Sequence, residues 1–309
     1  MKDLFSMAGI TKQALWKHHK RQEYKRILIG RALSIMRKIR KRHKRMGCRS
    51  IYFTTKQKPP VGRDAFVTIG IENGFRLKHR RNKKKTTWSQ SVEVFPNRIE
   101  GTTLSNINQV WQSDIFYHEE NGITFYGITI IDVYSRHLLA LHISKSLRAE
   151  ENVKALRKAI KCRSGHNLVG CIFHSDRGSQ YISDVHKNLL TQNGMQKSMC
   201  KLPQENAYAE RVQDTVKNYY LCDEKLEDKD LNKVASRIMR KYNYERPHLE
   251  LNMMTPIAYE KHVEKLSEKT KPKMVVFKWD HALSTKKDLP TKEKSSKKEK
   301  VMMVMTIIE

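Results

Sequence analysis

The chain has 309 residues, 39% of them hydrophobic, with 61 Lys and Arg against 32 Asp and Glu for a net charge of +29. That is enough apolar material for a sizeable core in two or three domains. No apolar run approaches the roughly 20 residues of a membrane span, and the start MKDLFSMAGITKQ lacks the basic-then-apolar pattern of a secretory signal. The five cysteines form no CxxC pair and no even framework, which points to reduced thiols in the cytosol. Charge is unevenly spread: residues 1–100 hold 27 Lys and Arg against 6 Asp and Glu, a net +21, whereas residues 101–260 carry +2 and residues 261–309 carry +6. A strongly basic front ahead of a near-neutral centre fits a polyanion, because each phosphate contact releases condensed counterions.

In chain order, residues 2–21 predict a helix-turn-helix: DLFSMA, a turn at Gly9, then KQALWKHHKRQ capped by Thr11. Leu15 is expected to face a core, and Lys12, Lys17, Lys20 and Arg21 to face DNA. Glu23 to Phe53 keeps an apolar face (Ile27, Ile29, Leu33, Ile35, Met36, Ile39) amid many bases. A further helix is predicted from Gly62, with Asp64 near its cap, to a stop at Gly74. FRLKHRRNKKKTTW, Phe75 to Trp88, is nearly all cation and is expected to lack fixed structure until DNA neutralises it. Beyond a linker, VWQSDIFYH predicts a strand, HEENG a hairpin turn at Asn121-Gly122, and ITFYGITIIDVY and RHLLALHIS two more strands. AEENVKALRKAIK, Ala149 to Lys161, predicts an amphipathic helix with acids at its start and bases at its end. LVGCIF, Leu168 to Phe173, predicts a buried strand, YISDVHKNLLTQN a helix, MQKSM a short segment, and Glu205 to Leu221 a last helix. The tail beyond Lys261 is rich in Lys and Ser and is expected to be disordered.

Three carboxylates stand out in this order. Asp114 lies in the first strand, Asp176 emerges at the carboxyl end of LVGCIF on a turn with Gly178, and Glu210 lies on the last helix. On that helix Ala209, Val212, Val216 and Tyr219 form the apolar stripe, whereas Glu210, Gln213, Asp214 and Lys217 share another face. Such acids meeting at one sheet edge would repel one another unless divalent cations sat between them, as two-metal phosphoryl transfer requires. Lys217 follows Glu210 by seven residues, two α-helical turns, so both are expected to project the same way. Asp132 is expected to serve a turn rather than a metal.

The blocks WQSDIFY, IDVYSR (Ile131 to Arg136), HSDRGSQY (His174 to Tyr181), ENAYAERV, YNYERPH (Tyr242 to His248) and TPIAYE (Thr255 to Glu260), in this order, resemble the DDE transposases of bacterial insertion sequences. The likeness is to the second-reading-frame (OrfB) product, whose core is related to retroviral integrases, and it covers roughly residues 8–262. It implies an α/β fold: a ribonuclease H-like catalytic core, a mixed sheet with helices, preceded by a helical, helix-turn-helix-type DNA-binding region. The expected division is 1–95 basic helical DNA-binding region, 96–106 linker, 107–262 catalytic core and 263–309 tail. The resemblance implies that Asp114, Asp176 and Glu210 hold two Mg²⁺ ions, with Mn²⁺ as substitute. It favours Glu210 over Glu205 as third acid, because the final acid of ENAYAE matches the family pattern. It also implies that Lys217 and Arg246 contact DNA, and that His174 and Asn206 support the carboxylates without binding metal themselves.

The implied partners are double-stranded DNA (the terminal inverted repeats of an element and its target), further copies of the chain, and an upstream-frame protein, in a bacterial cytoplasm at the nucleoid. One departure stands out: SMCKLPQENA lacks about two residues and a glycine that relatives carry, leaving 33 residues between Asp176 and Glu210. A catalytically decayed or regulatory DNA-binding protein is the alternative. A retroviral-type integrase is disfavoured, since the front has no HHCC zinc module.

Overall fold

The computed structural model describes residues 9, 11–55, 58–77, 95–222 and 224–277. The hydroxyl of Thr11 accepts from the Ala14 amide and opens helix α1, Lys12–Arg42, which closes on Arg40, Lys41 and Arg42 beside its negative end. No break separates Arg21 from the following segment. The expected second helix of a helix-turn-helix is therefore the first third of one 31-residue helix. Nothing between Arg21 and Arg42 can stop it: Gly30 is the only weak helix former of that kind, and no proline intervenes. Leu15 is half-exposed rather than buried against a core, and residues 2–8 of the expected first helix lie outside the described residues.

Two shorter helices, α2 (Cys48–Thr54) and α3 (Arg63–Glu72), pack on the second half of α1 around Leu33, Met36, Met46, Ile51 and Phe66. Helix α3 starts and stops where the sequence predicts, with Gly62 as N-cap and Gly74 at φ 81°. Gly70 sits where α3 meets its neighbours: a Cβ there would stand 2.5 Å from Cys48 Sγ and 3.0 Å from Met36 Cε. Most of the cationic stretch expected to be unstructured, residues 78–94, lies outside the described residues, as do residues 278–309 of the expected tail.

The second unit is built on a five-stranded sheet. Strand β1 (Val110–Glu120) turns at Asn121 and Gly122, both at positive φ, into antiparallel β2 (Ile123–Asp132), followed by β3 (Leu138–Ser144). Helix α4 (Ala149–Cys162) crosses to β4 (Ile172–Ser175), and α5 (Asp184–Gln192), capped by Ser183, leads to β5 (Gln196–Met199). The spatial order is β3-β2-β1-β4-β5, with β4 parallel to β1 and β5 parallel to β4. The strand predicted from Leu168 begins only at Ile172. Gly170 at φ 82° makes a turn there, and the apolar run misleads because Leu168 and Cys171 are buried within it.

Helices cover both faces of the sheet. One face packs Trp111, Ile128, Ile130 and Phe173 under α4 and α5. The other packs Phe116, Phe125, Ile131 and Leu141 under α6 (Ala207–Thr215) and α7 (Leu231–Arg240). The helix predicted over Glu205 to Leu221 is three pieces: a 3₁₀ turn (Pro203–Asn206), α6, and a wider π turn (Val216–Leu221). Phe116 lies across Gly127, its cross-strand partner, where a Cβ would stand 2.0 Å from the ring.

The core extends beyond the expected limits of 107 and 262. Helix α8 (Pro256–Glu264) runs through the second limit, and Thr103–Leu104 pairs with Met274–Val275. Ile99, Leu104, Val263 and Val276 are buried with Tyr134 and Tyr259, so apolar burial carries the domain outward at both ends. The two units meet where Arg42 and His43 bind the two carboxylate oxygens of Glu245, at 2.5 and 2.9 Å, and Lys241 donates to the Arg42 carbonyl. No disulfide joins the cysteines, and no helix among the described residues is long and apolar enough to cross a membrane.

Candidate active site

Strand register decides where the acids stand. The parallel pairing of β1 with β4 ends at Ser113 and Ser175, so Asp114 and Asp176 are the next residues on adjacent strands. Their backbones are therefore about one inter-strand spacing apart, roughly 5 Å. Alternation puts Asp114 on the face of Gln112 and Phe116, under α6, and Asp176 on the face of His174. The turn after Asp176 is shaped around it. The Gly178 amide donates to Asp176 Oδ1 at 3.0 Å, and a Cβ on Gly178 would stand 3.1 Å from that oxygen.

Glu210 stands in the first turn of α6 and is exposed. Burial first, and then the charges of Asp176 and Glu210, push Asp114 up to about 8, while an amide bond from Ile115 partly offsets them. Burial also raises Asp176 and Glu210 above the usual carboxylate range. Glu205, five residues earlier, is buried and turned away: its carboxylate accepts from the Lys201 amide and closes the loop before α6. Glu205 thus has a loop to hold, while the charge of Glu210 acts on Asp114.

The donor set fits a hard divalent cation: oxygen ligands only, in mutual repulsion that a cation would relieve. Among the described residues, no three His, Cys, Asp or Glu side chains stand close enough together to enclose an ion as they are. The charges of Asp176 and Glu210 both act on Asp114, a repulsion that a cation between them would relieve.

The supporting residues lie behind them. His174 is fully buried, bonded through Nδ1 to Ser198 Oγ at 2.9 Å, and held neutral by burial, which pushes it down to about 4. Asn206 donates from Nδ2 to the Ser113 carbonyl at 2.9 Å, one residue before Asp114. Two residues that the sequence reading missed complete this layer. Gln112, fully buried, donates to the Glu205 carbonyl at 3.0 Å and accepts from the Ala209 amide at 3.2 Å. Gln213 donates to the Ile115 carbonyl at 3.0 Å. The signal available was position: a polar side chain two residues before Asp114 on the same face of a buried strand.

The expected DNA contacts divide. Lys12, Lys17, Lys20 and Arg21 are all exposed on the first half of α1, with Lys20 Nζ 4.3 Å from the Trp16 ring centre. Lys217 lies in the π turn after α6. It lines a polar cavity of about 350 Å³ with His118, Glu120, Asn121 and Cys222, at the hairpin end of β1. His118 is four residues from Asp114, about 13 Å along the strand. Arg246 is half-buried and stacks on Tyr219 at 4.9 Å. Asn243 from the same block pins β3 by bonding both the amide and the carbonyl of Leu138.

Asp132 has the turn role expected of it: it accepts from the amides of Asn108 and Ser135 and lies 3.6 Å from Arg163. Glu260 joins this buried group, accepting from Arg163, Ser135 and His137, so IDVYSR and TPIAYE meet in one ion cluster.

Comparison with known proteins agrees with this architecture. The integrase core domain family matches residues 105–202, and a second integrase core domain family matches residues 193–256. An insertion element IS600 31 kDa protein of Shigella sonnei is 31% identical over 205 residues, 64% of this chain and 75% of that protein. The transposase for insertion sequence element IS904 of Lactococcus lactis is 30% identical over 193 residues, 61% of this chain and 74% of the transposase. Among solved structures, the HTLV-2 integrase catalytic core in complex with magnesium aligns over 50% of this chain and 97% of its own, at 18% identity and a TM-score of 0.40. By sequence kinship over three quarters of such relatives, and by the two integrase core domain matches, the chain belongs to the insertion-sequence transposases that carry an integrase core domain.

Proposed function

We propose that the chain binds the terminal inverted repeats of a mobile DNA element and, with a divalent metal, hydrolyses a phosphodiester to free a 3′-OH that is then joined to a phosphate of target DNA. The observation that carries this reading is the emergence of Asp114 and Asp176 at the same level of adjacent strands, beneath the helix that bears Glu210. Asp114, Asp176 and Glu210 would hold Mg²⁺ or Mn²⁺, and the metal, when bound, supplies an activated oxygen nucleophile and offsets charge on the leaving oxygen.

The chain's own residues supply position. Asp114 and Asp176 are fixed by the sheet, Gly178 orients Asp176, and His174, neutral and buried, adds no charge to compete with a cation. The exposed bases of α1 supply salt-sensitive DNA affinity to a front carrying +21. Several copies acting on paired ends would bring the two DNA partners together.

The test is strand cleavage of end-containing DNA by purified protein, in EDTA and after Mg²⁺ addition. Cleavage restored by Mg²⁺ and abolished by Asp114→Asn and Asp176→Asn supports the reading. Cleavage that persists in EDTA overturns it. DNA binding without cleavage in any metal would favour a regulatory protein instead.

A further inference from the structure

Gln112 and Gln213 tie β1, which bears Asp114, to the segment of α6 that bears Glu210. On β1 the attachment points are Gln112 itself, the Ser113 carbonyl and the Ile115 carbonyl, which straddle Asp114. On the helix side they are Asn206, Ala209 and Gln213, which straddle Glu210. A fully buried amide in a strand is costly unless both its ends are bonded. Gln112 meets that condition only through α6 and the 3₁₀ turn before it, giving its N–H to the Glu205 carbonyl and taking the N–H of Ala209, one of the helix's unpaired first-turn donors.

β4 stops at Ser175, so beyond Ser113 it no longer pairs with that edge of β1. Gln213 takes up the strand there. The bonds thus fix both the rotation of α6, through its first turn, and its height over β1, through Ile115.

We propose that Gln112 and Gln213 are positioning residues that set the separation and orientation of the Glu210 carboxylate relative to Asp114. The proposal rests on the function assigned above. Removing either amide keeps all three carboxylates in the chain but lets α6 turn or lift and carry Glu210 with it, so the fault falls on metal affinity rather than on DNA affinity.

The experiment uses full-length protein with Gln112→Met and Gln213→Met, near-isosteric changes that delete the bonds. Mn²⁺ binding is read by water-proton relaxation without DNA, DNA affinity by anisotropy, and strand cleavage across a Mg²⁺ titration. We expect Mn²⁺ affinity and the Mg²⁺ half-saturation of cleavage each to weaken about 10-fold or more, within the range seen when groups supporting metal ligands are removed. DNA affinity should stay within about twofold, and saturating Mg²⁺ should recover part of the cleavage.

A purely structural role would lower the melting temperature and leave metal affinity unmoved; that result in both variants overturns the proposal. If Gln112→Met does not fold, Gln213→Met, at a partly exposed site, decides alone. Wild-type protein that binds no Mn²⁺ in a manner sensitive to Asp114→Asn overturns the assigned site and this proposal together. Wild-type binding that both variants match overturns the proposal only.

Discussion

Replacing Glu260 with Gln should destabilise the core without touching the candidate active site. Glu260 accepts from Arg163 Nη1 at 2.9 Å, from Ser135 Oγ at 2.6 Å and from His137 Nδ1 at 3.0 Å. Arg163 is 4% exposed, and the other acid near it, Asp132, is 3.6 Å away. Breaking a buried pair from one side costs about 3–5 kcal/mol, because the remaining charge is stranded. Asp132 remains to share Arg163, so the lower end applies, about 3 kcal/mol. For a domain of this size that corresponds to a fall in melting temperature of roughly 6–12 °C.

The pH dependence has a definite sign. Burial opposes charge on His137, yet bonds with Cys162 and Glu260 prevail and push it up to about 9. A folded pKa raised above the unfolded value contributes stability that is whole below about pH 6.5 and lost as pH rises through about 9, on the order of 3 kcal/mol. Glu260, which burial alone would raise, is held well below the usual carboxylate range by Arg163 and His137. Its contribution is whole above the ordinary Glu pKa and disappears only in strong acid. Thermal unfolding of wild type and Glu260→Gln from pH 5 to 10 measures both effects. A fall below 2 °C at pH 7, or a variant that keeps the wild-type loss of stability between pH 6.5 and 9, would refute the cluster as a source of stability.

Glu210→Gln should abolish strand cleavage with DNA binding intact, whereas Glu205→Gln should keep most activity, since Glu205 bonds the Lys201 amide; an inactive Glu205→Gln beside an active Glu210→Gln would reverse the choice. Metal binding should strengthen up to about tenfold per pH unit as pH rises towards 8, because Asp114 must lose its proton, and titration calorimetry at pH 6, 7 and 8 would expose a flat profile. Changing Lys12, Lys17, Lys20 and Arg21 together to Ala should weaken DNA binding and flatten its log–log salt slope by up to about 4; an unaltered slope would remove these residues from the interface. Gly70→Ala should cost about 1–3 kcal/mol in urea unfolding, since its Cβ would meet Cys48 Sγ at 2.5 Å, and a neutral result would mean the Met36 and Cys48 side chains give way freely.

The sequence was most legible where a local rule had no competitor. Asn121-Gly122 marked its hairpin, Gly62 and Gly74 bounded α3, and alternation around Asp114 marked β1. It misled where burial and backbone part company. Leu168 and Cys171 are buried in a turn, so an apolar run looked like a strand four residues too early. The spacing from Glu210 to Lys217 assumed α geometry, and no residue type in VKNYYL announces a π turn. The candidate acids could be named because Asp114 lies in an apolar strand and HSDRGSQY and ENAYAE resemble family blocks. The amides holding them could not, because a glutamine declares its partner only when strand and helix have met.

Helix α1 has a mechanical consequence. Its 31 residues form a rod about 46 Å long, seated on the second unit at one end through Arg42, His43 and Glu245, with its exposed bases at the other. On an arm of that length, a tilt of about 10° at Glu245 displaces Lys12 by about 8 Å, more than two base-pair steps of duplex DNA. Under the proposed function, the contacts of Glu245 and Lys241 at the fulcrum therefore govern where the far end of the lever meets the phosphate track.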